Sequence, residues 1–103
     1  METETMKQAA AFCAALEAAT AAHFAKHYPR QKAPCFLLDA PGRRFVRVVR
    51  TGGLGRSREV VVFVEIATGT IWKADSWKKP SMNFPRGNVA DPAAWLAANG
   101  GHA

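Results

Sequence analysis

Apolar positions in the first 28 residues recur at helical spacing, with Phe12, Leu16, Ala19 and His23 on one face, and no glycine or proline interrupts them. Alanine, which loses least on entering a helix, fills much of the remainder. One amphipathic helix is therefore expected from Thr3 to Tyr28, halted by Pro29, which disfavours the helical state of its predecessor and lacks an amide hydrogen. The short apolar run PCFLLDA, closed by PGR, reads as a strand and a turn. RRFVRVVR then alternates with a period of two, placing Phe45, Arg47 and Val49 on one side and Val46, Val48 and Arg50 on the other. An arginine on each face predicts a strand near an edge or twisted at its end.

TGGLGRSR reads as a flexible connection, and EVVVFVEI after it is the most apolar strand of the chain, expected mid-sheet. ATG before TIWKA predicts a three-residue hairpin loop with Gly69 in the left-handed position. SWKKPSMNFPRGN, residues 76–88, reads as a rigid, aromatic-anchored loop that ends the sheet and launches a helix. That helix is marked in ADPAAWLAANGG by Asp91 as N-cap, Pro92 at the first position and glycines at the end. Together these elements predict an α+β fold: a long N-terminal helix packed on a four-stranded antiparallel meander, followed by a short C-terminal helix.

Length adds that the 103 residues form one domain with one core. Hydrophobic residues at 49% and charged residues at 21% suit a folded globular chain and exclude disorder as the default. The longest charge-free run in the first half, QAAAFCAAL, is far short of a membrane span, and Glu2 and Glu4 oppose the basic start of a secretory signal. A cytoplasmic protein without membrane contact is expected. Cys13 and Cys35 match neither a disulfide framework nor a zinc-ligand spacing, and read as small buried apolar residues.

Charge changes the picture more. Residues 1–29 carry a balance of −1, residues 59–103 cancel, and residues 30–58 carry +7 with Asp39 as their one acid. Seven of the eight cations in that block are arginines, whose planar fork suits phosphate.

The run FVEIATGTIWKADSWKKPSMNFPRGN, residues 63–88, resembles a group of small uncharacterised proteins of tailed bacteriophages and prophages. Their recurring pattern reads FV, TG, a strand with a lysine, SWK, a proline and RGN. It is matched here by Phe63, Val64, Thr68, Gly69, Lys73, Ser76, Trp77, Lys78, Pro80, Arg86, Gly87 and Asn88. The sequence departs from the pattern at KKPSMNFP, where relatives more often carry a lysine-alanine-proline-alanine-lysine run. The resemblance implies a phage or prophage origin and a life in the cytoplasm of an infected bacterium. It carries no activity with it.

Candidate chemistry is sparse. TGGLGRS lacks the lysine-serine ending of a nucleotide-binding loop and joins two strands, so a plain flexible connection is the better reading. His23 and His27 stand four apart on the first helix, but Phe24 occupies the place of a metalloprotease glutamate, and His23 reads as a packed core residue. The acids are too scattered for a triad or a carboxylate pair. No cofactor, no metal and no catalysis is expected.

What stands out is cations interleaved with aromatics: Arg43, Arg44, Arg47, Arg50, Arg56 and Arg58 in the central block, then Lys73, Trp77, Lys78, Lys79 and Arg86. Arginines that track phosphates and aromatics that stack on unpaired bases make a surface for single-stranded nucleic acid. Within that set Trp77, like Trp72, reads first as a core-filling anchor, with Lys78, Lys79 and Arg86 as a functional rim. Two functions follow: a nucleic-acid-binding protein, or an anti-CRISPR-like inhibitor that docks on a host nucleoprotein complex.

Overall fold

The computed structural model describes residues 2–40, 42–52 and 58–98, without the side chains of residues 2, 3, 83 and 84. Helix α1 (Glu2–His27) is followed by strands β1 (Cys35–Asp39), β2 (Phe45–Thr51), β3 (Arg58–Glu65), β4 (Thr70–Ala74) and β5 (Pro80–Asn88), and by helix α2 (Pro92–Ala98). The strands form one antiparallel sheet in the order β1-β2-β3-β4-β5, a meander with β3 at its centre. The α+β architecture is the expected one, with one strand more than the sequence pattern predicts.

α1 buries Thr5, Ala9, Phe12, Cys13, Leu16 and Thr20, one seam at helical spacing. Phe12 and Leu16 lie on the expected face, whereas Ala19 and His23 are only partly covered. Alanine on every side leaves the apolar stripe weakly marked, and the sheet selects its own seam. Against it pack Phe36 of β1, Val48 of β2, Val62 and Val64 of β3, Ile71 of β4, and Val89. Each such side chain contributes about 1.5–3 kcal/mol on leaving water. α2 closes the end of this core with Trp95, whose ring stands edge-on to Phe12 at 5.3 Å and 87°. Asp91 caps α2 as expected, its Oδ1 accepting from the Ala94 amide at 3.3 Å.

The fifth strand lies within the segment read as a loop. β5 pairs with β4 at Thr70↔Asn88, Trp72↔Pro85 and Ala74↔Pro80, with the register slipping between each pair. It is an edge strand, where proline's missing amide hydrogen is tolerated, and this reconciles Pro80 and Pro85 with a sheet. A second irregularity lies between β2 and β3, where Val48↔Val62 is followed by Val49↔Val60 and Val61 is the extra residue of a bulge.

Gly69 has φ of 77°, the left-handed conformation its position predicts. Its loop runs one residue longer than expected, from Ile66 to Gly69, and closes through the Gly69 amide to the Glu65 carbonyl at 2.7 Å. A Cβ at Gly69 would lie 2.9 Å from Asn88 Oδ1 and 3.2 Å from Val89 Cγ2. Asn88 meanwhile donates to the Thr68 carbonyl at 2.9 Å, and the Val89 amide donates to the Gly69 carbonyl at 2.9 Å. Thr68 and Gly69 thus meet Asn88 and Val89 as one structural lock. Gly69→Ala is expected to cost about 1–2 kcal/mol through left-handed strain, read as a lower denaturant midpoint at unchanged m-value.

Both cysteines were expected inside, but only Cys13 is buried, and Cys35 is exposed on β1, an edge strand. Burial, and then the nearby Glu17 carboxylate, push the Cys13 thiol above its ordinary value.

Candidate nucleic-acid interface

Alternation along the strands turns Phe36, Val48, Val62, Val64 and Ile71 toward α1, and Leu37, Asp39, Phe45, Arg47, Val49, Phe63, Glu65 and Trp72 toward the opposite face. Among the described residues no helix covers that second face. Part of it is roofed by the turn between β4 and β5, Asp75–Lys79. The Asp75 and Ser76 amides both donate to the Lys79 carbonyl at 3.0 Å, and the Lys79 amide donates to the Ser76 carbonyl at 3.4 Å. So drawn together, the turn folds back over the sheet as far as β2.

Arg47 holds it there. Its Nε donates to the Trp77 carbonyl at 2.6 Å and its Nη1 to Asp39 Oδ2 at 3.0 Å. Its guanidinium lies 5.0 Å from the Trp77 ring centre and 5.9 Å from that of Phe63. Only 8% exposed, Arg47 joins β1, β2 and the turn from inside, and reaches the surface only as part of a cleft lining shared with Arg43, Arg44 and Lys78. This explains the arginine on each face of β2, which is an interior strand and not an edge. Arg50, on the other face, pairs with Glu59 across the β2–β3 ladder.

The tryptophans also depart from expectation. Trp77 is 38% exposed and lies over the helix-free face instead of under α1. Trp72 is half-buried on that same face, its Nε1 donating to Glu65 Oε1 at 3.2 Å. The tryptophan of the core is Trp95, which the sequence reading passed over, although its place one turn into a capped helix beside Leu96 was the available signal.

Two clefts flank the folded turn. The first, about 260 Å³, is rimmed by Arg43, Arg44 and Lys78 and floored by Phe45 and Phe63, whose rings meet edge-on at 6.0 Å. Arg44 stacks 4.9 Å above Phe45 and lies 3.8 Å from the Glu65 carboxylate, a loose pair on a largely exposed side chain. Its backbone is fixed, since the Ile66 amide donates to the Arg44 carbonyl at 2.9 Å. Neither Arg43 nor Lys78 has an ion-pair partner among the described residues. The second cleft, about 300 Å³, lies between the start of β3 and the turn, with Arg58 5.6 Å from the Trp77 ring centre.

Of the sequence-derived candidates, Arg43, Arg44, Arg58, Trp77 and Lys78 thus come together around one turn. Lys79 is exposed at its end, and Arg86 is exposed on β5. Lys73 pairs with Val62 and so belongs to the α1 side of the sheet, apart from the clefts. Arg56 lies outside the described residues, as does most of TGGLGRS. His23, expected in the core, is half-buried in a ring cluster at the end of α1, 4.5 Å from His27 and 6.0 Å from Tyr28. Among the described residues no group of three or more His, Cys, Asp or Glu side chains is placed to hold a metal ion, and no helix is long and apolar enough to cross a membrane.

The model of one protein family, described as a family of unknown function (DUF7717), matches residues 1–98. No curated protein and no solved structure matches the chain.

Proposed function

The chain belongs to the DUF7717 family of unknown function, and we propose that it binds single-stranded nucleic acid across the helix-free face of its sheet. The observation that carries this is the convergence of Arg43 and Arg44, from the β1–β2 connection, with Lys78, from a turn more than thirty residues on, above the Phe45 and Phe63 rings. Three cations around an aromatic floor suit phosphates at the rim and an unstacked base below, a surface without use for a rigid duplex. Across the turn, Arg58 and Trp77 offer a second stacking position. The protein acts by binding and not by catalysis, and the likeness of residues 63–88 to phage proteins supports a setting in the bacterial cytoplasm.

The test is the salt dependence of binding to a short labelled oligothymidine. Each phosphate contact contributes about 0.7 to the slope of log affinity against log salt on a single strand. Replacing Arg43, Arg44 and Lys78 together with glutamine is expected to shallow the slope by about 2. Lys73→Gln, on the other side of the sheet, is expected to leave it unaltered. Absence of salt-dependent binding by the parent protein would overturn the reading. The protein-directed alternative draws on Trp77 and Leu37, exposed by 38% and 37% on this same face. It predicts capture of a host complex with no affinity for free oligonucleotides.

A further inference from the structure

The second cleft contains a feature that phosphate binding does not use. It is lined by Arg58, Glu59, Val60, Asp75, Ser76 and Trp77, among others, and so places two carboxylates beside Arg58. Glu59 is neutralised by Arg50. Asp75 is exposed, its backbone amide is engaged with the Lys79 carbonyl, and its carboxylate makes no hydrogen bond or ion pair among the described residues. A free carboxylate repels phosphate and suits hydrogen-bond donors instead.

Ionised aspartate only accepts, and its two oxygens suit two parallel N–H donors. Among the bases, guanine alone offers two adjacent donors on its Watson–Crick edge, N1–H and the N2 amino group. Adenine and cytosine each place one amino donor beside a ring acceptor, and thymine sets a single N–H between two carbonyls. The Trp77 ring and the Arg58 guanidinium supply planes against which such a base stacks while its edge is read. Ser76, beside Asp75 in the same lining, adds a hydroxyl of either polarity for the neighbouring guanine O6.

We propose that the cleft formed by Arg58, Asp75, Ser76 and Trp77 selects guanine within a single strand, with Asp75 as the residue that determines specificity. This rests on the nucleic-acid reading above and adds base identity to it.

The experiment compares a short oligothymidine with the same strand carrying one central guanine, adenine, cytosine or hypoxanthine, by fluorescence anisotropy at one low salt concentration. Guanine is expected to tighten binding about tenfold over thymine, as one well-formed bidentate pair does. Hypoxanthine, which keeps N1–H but lacks the amino group, is expected to recover about half of that gain on a logarithmic scale. Asp75→Asn, whose amide presents one donor beside one acceptor, is expected to reduce the guanine preference to within about twofold. With a phosphate-repelling charge removed, its affinity for oligothymidine should rise and not fall, and its melting temperature should be unchanged. Equal binding of all five strands by the parent overturns the specificity proposal while leaving the binding function intact. A guanine preference that persists in Asp75→Asn removes Asp75 from the role. Failure to bind any strand overturns the underlying reading and this proposal with it.

Discussion

Phe12→Ala is expected to lower the free energy of unfolding by about 3–5 kcal/mol, the range for deleting a fully buried aromatic ring. Phe12 is completely inaccessible and sits where α1, the sheet and α2 meet, so three elements lose packing at once. Trp95 loses the ring against which its own edge-to-face contact is made. A domain of this size commonly has about 5–15 kcal/mol in total, so the variant is expected near the threshold of folding. Chemical denaturation followed by far-ultraviolet circular dichroism measures the loss. Phe12→Leu is the milder comparison, with a cost expected below about 2 kcal/mol. An alanine variant as stable as the parent would remove Phe12 from the centre of the core.

Arg47→Ala is expected to cost about 2–4 kcal/mol. It removes two hydrogen bonds, to Trp77 O and Asp39 Oδ2, and strips cover from Phe63. Breaking a fully buried pair costs about 3–5 kcal/mol. Here the Asp39 side chain is 34% exposed and regains water when its partner is lost, which lowers the figure. Arg47→Met separates the two contributions, because a hydrophobic side chain of similar length restores packing without tying down the turn. The methionine variant should recover most of the stability, yet exchange the amide hydrogens of Asp75–Lys79 faster than the parent does. If exchange in that turn were unchanged in both variants, Arg47 would not be what holds it.

Features governed by local rules were legible in the sequence. α1 follows from alanine and the absence of breakers, the Gly69 turn from the need for a left-handed residue, and the start of α2 from an aspartate-proline cap. β3 was legible as the central strand because a run apolar on both faces must be covered on both. β5 was not, since its two prolines read as breakers and only the edge position of the strand makes them acceptable. The candidate site was half legible. Composition isolated the cations, but could not show that Arg47 turns inward, because its partners come from a neighbouring strand and from a turn thirty residues away. Nor could periodicity show that the turn bearing Trp77 folds back over the sheet, since a side chain's burial there depends on a tertiary contact and not on strand alternation.

The tie made by Arg47 bears on how fast the proposed ligand would be taken up. Trp77 and Lys78 are held against the sheet by a contact internal to the protein, and Arg44 by a backbone bond to the end of β3, so both sides of the first cleft are set before anything arrives. A surface assembled in advance spends little of its contact energy on ordering itself. If the cleft binds nucleic acid as proposed, encounter would be governed by diffusion under the field of a chain carrying six net positive charges.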